Sequence, residues 1–87
     1  MYKTLYTQEY QQMLVLLRAK RTASNVSQAE LARRLSWTQA DVSKCETGVR
    51  RLDVVELKLW LKALGLELTS FVNEMYTQPE YIPFHTV

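Results

Sequence analysis

Residues 38–47 read Thr-Gln-Ala-Asp-Val-Ser-Lys-Cys-Glu-Thr. At 100° per residue, Val42 and Cys45 share one side of a helix, while Gln39, Ser43 and Lys44 fall on the other and packing has no need of them. A glutamine amide offers a donor and an acceptor at fixed spacing, the pattern that pairs with N6 and N7 of adenine. A lysine ammonium donates to O6 and N7 of guanine, and each good contact of this kind is worth about 1–3 kcal/mol of discrimination. The surrounding segment, residues 18–51, carries Arg18, Lys20, Arg21, Arg33, Arg34, Lys44, Arg50 and Arg51 against Glu30, Asp41 and Glu46, a net +5. The rest of the chain sums to −3, so a formal total of +2 conceals a basic middle between acidic flanks. Such a middle can track a polyanion, although the same residues also suit ordinary solvated helix faces.

Other chemistries lack their residues. One cysteine (Cys45) excludes an internal disulfide, and with the single His85 it makes a zinc cluster improbable. Two glycines cannot furnish a Gly-rich phosphate loop, and no nucleophile–base pair or set of paired carboxylates stands out. The expectation is a binding module with no cofactor and no metal, not an enzyme. The longest apolar run, residues 13–17, falls far short of the roughly 20 residues of a membrane span. The N-terminus has no basic-then-apolar leader, so a cytoplasmic location is expected. At 87 residues and 47% hydrophobic composition, one small ordered domain is expected over residues 1–76, followed by a short tail, 77–87.

The elements that must position the polar face are legible from periodicity and caps. Residues 7–22 lack Gly and Pro and place Tyr10, Met13, Leu14 and Leu17 at helical spacing, which predicts a first helix. Ser27-Gln28-Ala29-Glu30 has the form of a capping box, with the serine hydroxyl bonding the N–H of residue 30 and the glutamate reaching back to that of residue 27. It opens a second helix through Leu35 in which Leu31 and Leu35 face the core. Thr38 caps the third helix, where Asp41 suits the positive helix end and Ala40 joins Val42 and Cys45 as the apolar residues. Gly48 is placed for a left-handed C-terminal cap. A fourth helix, about 53–64, carries Val54, Leu57, Trp60, Leu61 and Leu64 in one stripe and Val55 and Leu59 in a second, more than one core contact requires. A fifth, about 67–76, carries Leu68, Phe71, Val72 and Met75. The tail holds Pro79 and Pro83 among Tyr81, Ile82 and Phe84, too proline-broken for a helix and too apolar for an ordinary flexible end. Trp37 is expected to pack in the turn, and Cys45 to serve as a small core hydrophobe.

Two short helices joined by a tight turn, the second polar on its outer face, are the parts of a helix-turn-helix. Here Gln28-Ala29-Glu30-Leu31-Ala32-Arg33-Arg34-Leu35, then Ser36-Trp37-Thr38-Gln39, Val42-Ser43-Lys44 and Glu46-Thr47-Gly48 together resemble the Cro/cI-type (XRE) helix-turn-helix of phage repressors and many bacterial regulators. The resemblance covers about residues 14–73. It implies an all-α, five-helix, lambda-repressor-like domain that binds a pseudo-palindromic operator in double-stranded DNA as a homodimer and regulates transcription, as a repressor. It implies base contacts by Gln39, Ala40 and Lys44, and backbone contacts by Gln28, Ser43 and Thr47. It further implies a structural Arg21–Glu46 pair between helix 1 and the end of helix 3. Arg50 and Arg51, which follow helix 3 directly, are expected to face the DNA backbone, with Arg33 and Arg34 as further phosphate candidates.

The sequence departs from the family pattern twice. Ser36 stands where a turn glycine is usual, and Arg51-Leu52-Asp53 stands where Arg-x-Pro is usual, so Asp53 caps the fourth helix in place of a shaping proline. Two other functions fit the same fold. One is an antitoxin whose apolar tail engages a toxin as protein partner while the domain autoregulates its operon. The other is a protein-only adaptor that uses helix 3 on another protein and fails to bind bulk DNA at low salt.

Overall fold

The computed structural model describes residues 7–77, and the tail beyond, with its expected partner role, lies outside them. Five helices follow in order: α1 (Gln8–Ala23), α2 (Gln28–Leu35), α3 (Gln39–Thr47), α4 (Val54–Ala63) and α5 (Leu68–Tyr76). The described residues contain no strand.

Local chemistry sets most of the boundaries. Thr7 Oγ1 accepts from the Tyr10 N–H at the start of α1. Thr38 and Asp41 form a complete capping box on α3, and Asp53 and Glu56 form another on α4. At the start of α2 only half of the expected box exists. The Ser27 hydroxyl accepts from the Glu30 N–H at 3.0 Å, but the Glu30 carboxylate turns outward to Arg33 and Arg34. Two guanidinium groups at i+3 and i+4 offer charge-assisted bonds that outweigh one backbone N–H. Gly48 ends α3 at φ 86°, as its position predicts.

The core joins all five helices through Leu17, Leu31, Val42, Cys45, Trp60 and Leu61, each without solvent exposure, together with Leu16, Val26, Ala32, Leu52, Leu57, Leu64 and Phe71. Full burial of one such aliphatic side chain is worth about 1.5–3 kcal/mol. α2 lies between α3 and α4, and α1 backs both α3 and α5. One residue of the main apolar stripe of α4 does not pack inward: Val54, in the first turn, is 64% exposed. Ala40 on α3 is exposed, as a base contact requires. The second stripe of α4 stays uncovered, with Val55 61% and Leu59 48% exposed.

Candidate nucleic-acid interface

The turn between α2 and α3 fixes how α3 leaves the domain. Ser36 takes the left-handed conformation (φ 59°, ψ 36°) that glycine adopts without strain. A left-handed L-residue costs about 1–2 kcal/mol, and the turn is held by backbone bonds from Ser36 N–H to the Arg33 carbonyl (3.2 Å) and from Trp37 N–H to the Ala32 carbonyl (2.9 Å). Trp37 packs edge-on against the buried Trp60, ring centroids 6.1 Å apart, as a turn-packing residue should.

Burial of Val42 and Cys45 then turns the opposite side of α3 outward. Gln39, Ala40, Lys44 and Thr47 are exposed and Ser43 is half-buried. The Thr47 hydroxyl donates within its own helix, to the Ser43 carbonyl at 3.0 Å. Asp41 keeps its carboxyl below the usual carboxylate range, chiefly because it accepts from the Thr38 N–H and hydroxyl, with Arg50 and Lys44 nearby adding to the effect.

The far end of α3 is held by a buried polar knot. Glu46 receives Arg21 Nε at 2.6 Å and Nη2 at 3.1 Å, and Gln28 Nε2 at 2.9 Å. Arg21 Nη1 also donates to the Val26 carbonyl at 2.9 Å. The Arg21–Glu46 pair implied by the sequence is therefore present. Gln28 is brought to the same carboxylate, which fixes its position at the opening of α2.

The basic segment divides sharply. Arg33 and Arg34 both bind Glu30, and Arg34 Nη1 caps the end of α4 at the Ala63 carbonyl. The hydrogen bond from Arg33, then that from Arg34, lowers the Glu30 carboxyl to about 2. Lys20 pairs with Glu74 and Arg21 with Glu46. Arg50, expected to face DNA, also makes contacts within the protein. Its guanidinium lies 4.6 Å over the Trp37 ring, pairs with Glu56 at 2.6 Å and donates to Cys45 Sγ at 3.0 Å. Arg51 is exposed and stacks 5.0 Å over Tyr10, whose hydroxyl accepts from the Leu52 N–H. Within the basic segment 18–51, Arg18, Lys44 and Arg51 form no ion pair among the described residues. Lys44 and Arg51 are thus the cations near α3 that form no such pair. The helical spacing places Tyr10 on the core face of α1 and carries no sign of its role as the seat of Arg51. An aromatic 41 residues upstream leaves no mark in a charge pattern.

A polar, outward-facing second helix of a tight helix–turn–helix, flanked by unpaired cations and anchored from behind, defines a DNA-binding helix-turn-helix domain. The helix-turn-helix family model HTH_3 matches residues 17–71. Among solved structures, an XRE-family like protein from Pseudomonas syringae pv. tomato str. DC3000 is similar over 78% of this chain and 83% of that one, at 37% identity and a TM-score of 0.76. The search of curated proteins gave no match. The chain belongs to the XRE family of helix-turn-helix proteins and is a DNA-binding transcriptional regulator. No helix among the described residues is long and apolar enough to cross a membrane.

Proposed function

We propose that this protein is a repressor that binds a pseudo-palindromic operator as a homodimer, reading bases with Gln39, Ala40 and Lys44. Gln28, Ser43, Thr47 and Arg51 meet the sugar-phosphate backbone. The observation that carries this reading is the exposure of Gln39, Ala40 and Lys44 on the side of α3 away from the fully buried Val42 and Cys45. Ala40, which contributes nothing to the core, leaves space against a base edge and an apolar surface for a thymine methyl. One such helix reads a half-site, and two copies would set a pair of them about 34 Å apart in successive major grooves. The uncovered Val55 and Leu59 on α4 supply apolar surface for the second copy.

Selection of duplexes from a random pool tests the reading. The expected product is a two-fold symmetric site with half-sites about one helical turn apart. Gln39→Ala relaxes preference at one position of each half-site, by about 1–3 kcal/mol, and leaves the others intact. With Lys44 and Arg51 as the cations that reach the duplex, the log–log salt slope is about −1.8 per monomer. Failure to enrich any duplex, together with no binding to bulk DNA at low salt, overturns the proposal and favours the protein-only adaptor.

A further inference from the structure

α3 packs on α1 and α2, and its backbone does not approach that of α4. Its inclination relative to α4 is set by α2, which packs on both, and by the side chains of the segment 48–53 that bridge the two helices. Arg50 makes that crossing at four points. Its backbone N–H donates to the Lys44 carbonyl at 3.0 Å. Its Nη1 donates to Cys45 Sγ in the last turn of α3 at 3.0 Å, and its Nη2 meets Glu56 Oε2 in the first turn of α4 at 2.6 Å. The face of the guanidinium covers Trp37, which immediately precedes the Thr38 cap of α3 and rests on the buried Trp60. One side chain thus grips the residue before α3, the end of α3 and the start of α4.

We infer that Arg50 is a positioning residue, which holds both ends of α3 against α4 and shapes base selection without touching DNA. This inference rests on the operator-binding reading. A planar guanidinium can present its face to an indole while its edges donate in plane, and an ammonium cannot do both. Glu56 is not free to release it, because its other oxygen accepts from the Asp53 N–H at 3.1 Å and completes the α4 capping box. Glu56 also offsets part of the Arg50 charge, which weakens its attraction for a phosphate. The sulfur side is chemically quiet. Burial pushes the Cys45 thiol up, against the opposing pull of Arg50, so the contact is guanidinium to neutral thiol.

Two substitutions separate positioning from phosphate contact because they predict opposite signs. Glu56→Gln keeps the cap, since glutamine serves in a capping box, and removes one negative charge. Electrostatics alone then predicts tighter binding to every duplex. A positioning role predicts instead that affinity for the duplex selected by the unsubstituted protein falls about tenfold relative to a scrambled duplex, the scale of one weakened charge-assisted hydrogen bond. Arg50→Lys keeps the charge and loses the stack and the fork, and is expected to lower the same ratio to a similar degree while the salt slope stays unchanged. If Glu56→Gln tightens both duplexes alike, or if Arg50→Lys keeps the ratio while Arg50→Gln makes the slope less negative by about 0.9 per monomer, Arg50 is a phosphate contact and the inference fails. Amide hydrogen exchange reads the clamp with no DNA present. Arg50→Lys is expected to speed exchange at residues 44–47 relative to α1, and unchanged exchange there overturns the clamp even if the regulator reading survives. If the unsubstituted protein selects no duplex, the regulator reading falls, and the exchange result still decides whether the clamp exists.

Discussion

Glu46 and Glu30 do the same chemistry in different surroundings. Each is a carboxylate shared by two donors, Arg21 and Gln28 in one case and Arg33 and Arg34 in the other. Glu46 and Arg21 keep only 3% and 9% of their side chains exposed, whereas Glu30 keeps 34%, Arg33 72% and Arg34 39%. The partners of Glu46 lie 25 and 18 residues away in sequence, and those of Glu30 lie three and four residues along the same helix. The first carboxylate joins α1, the start of α2 and the end of α3, and so determines where the reading helix stands. The second adjusts the charge of one helix face. Burial makes this difference, because a charge out of water cannot be left without its partner, while an exposed one falls back on solvent.

The largest expected effect comes from breaking the buried member. Glu46→Ala leaves the Arg21 guanidinium buried without its counter-ion and releases Gln28. A loss of about 3–5 kcal/mol is expected, a large part of the roughly 5–15 kcal/mol that holds a domain folded. Urea denaturation followed by circular dichroism measures it. A loss below about 1 kcal/mol would place Glu46 with ordinary surface pairs and erase the contrast.

The contrast also marks where the sequence was readable. Caps and periodic apolar residues are local signals, so α1 to α5 were placed to within a residue or so, and Thr38, Asp53 and Gly48 took the roles their types suggest. The Arg21–Glu46 pair was legible only through family resemblance, because nothing local relates residues 25 apart. The outward face of α3 followed from spacing around Val42 and Cys45. The errors arose where two partners competed for one group. A capping-box pattern assigned the Glu30 carboxylate to a backbone N–H, and two nearby guanidinium groups took it instead. A run of arginines after α3 suggests two cations facing DNA, and no local signal shows that Trp37, 13 residues upstream, and Glu56, six residues on, engage the guanidinium of Arg50, whose side chain stays 36% exposed. Val54 lies on the apolar stripe of a helical wheel, yet it sits in the first turn of α4, where it remains exposed.

The turn between the two carboxylates sharpens the comparison with a smaller effect. Ser36 holds φ 59° with its side chain exposed. Ser36→Gly removes a strain of about 1–2 kcal/mol, offset by about 0.5–1 kcal/mol from the greater freedom of glycine in the unfolded chain. A net gain of about 0–1.5 kcal/mol is expected, with Tm rising by about 4–8 °C for each kcal/mol gained. If the buried knot at Glu46 sets α3, this variant melts higher and selects the same duplexes. A changed base preference would show that the turn sets the reading helix instead.

The smallest effect on stability belongs to the exposed member, and its pH dependence gives it a signature. Hydrogen bonds from Arg33 and then Arg34 hold the folded Glu30 carboxyl at about 2, against an ordinary 4.5. For an acid lowered on folding, the stabilisation is complete above the ordinary value and is lost as pH falls toward the folded one. Glu30→Gln should therefore melt slightly below the parent at pH 6. The gap should close between about pH 4.5 and 2, and added salt should shrink it, since the groups are open to solvent. The same substitution releases two guanidinium groups from their counter-ion at neutral pH. If α2 lies along the DNA backbone, the salt slope steepens by up to about 0.9 per arginine engaged, with base preference unchanged. A gap in melting temperature that persists at pH 2 would mean that Glu30 acts through something other than its charge, and the parallel between the two carboxylates would not hold.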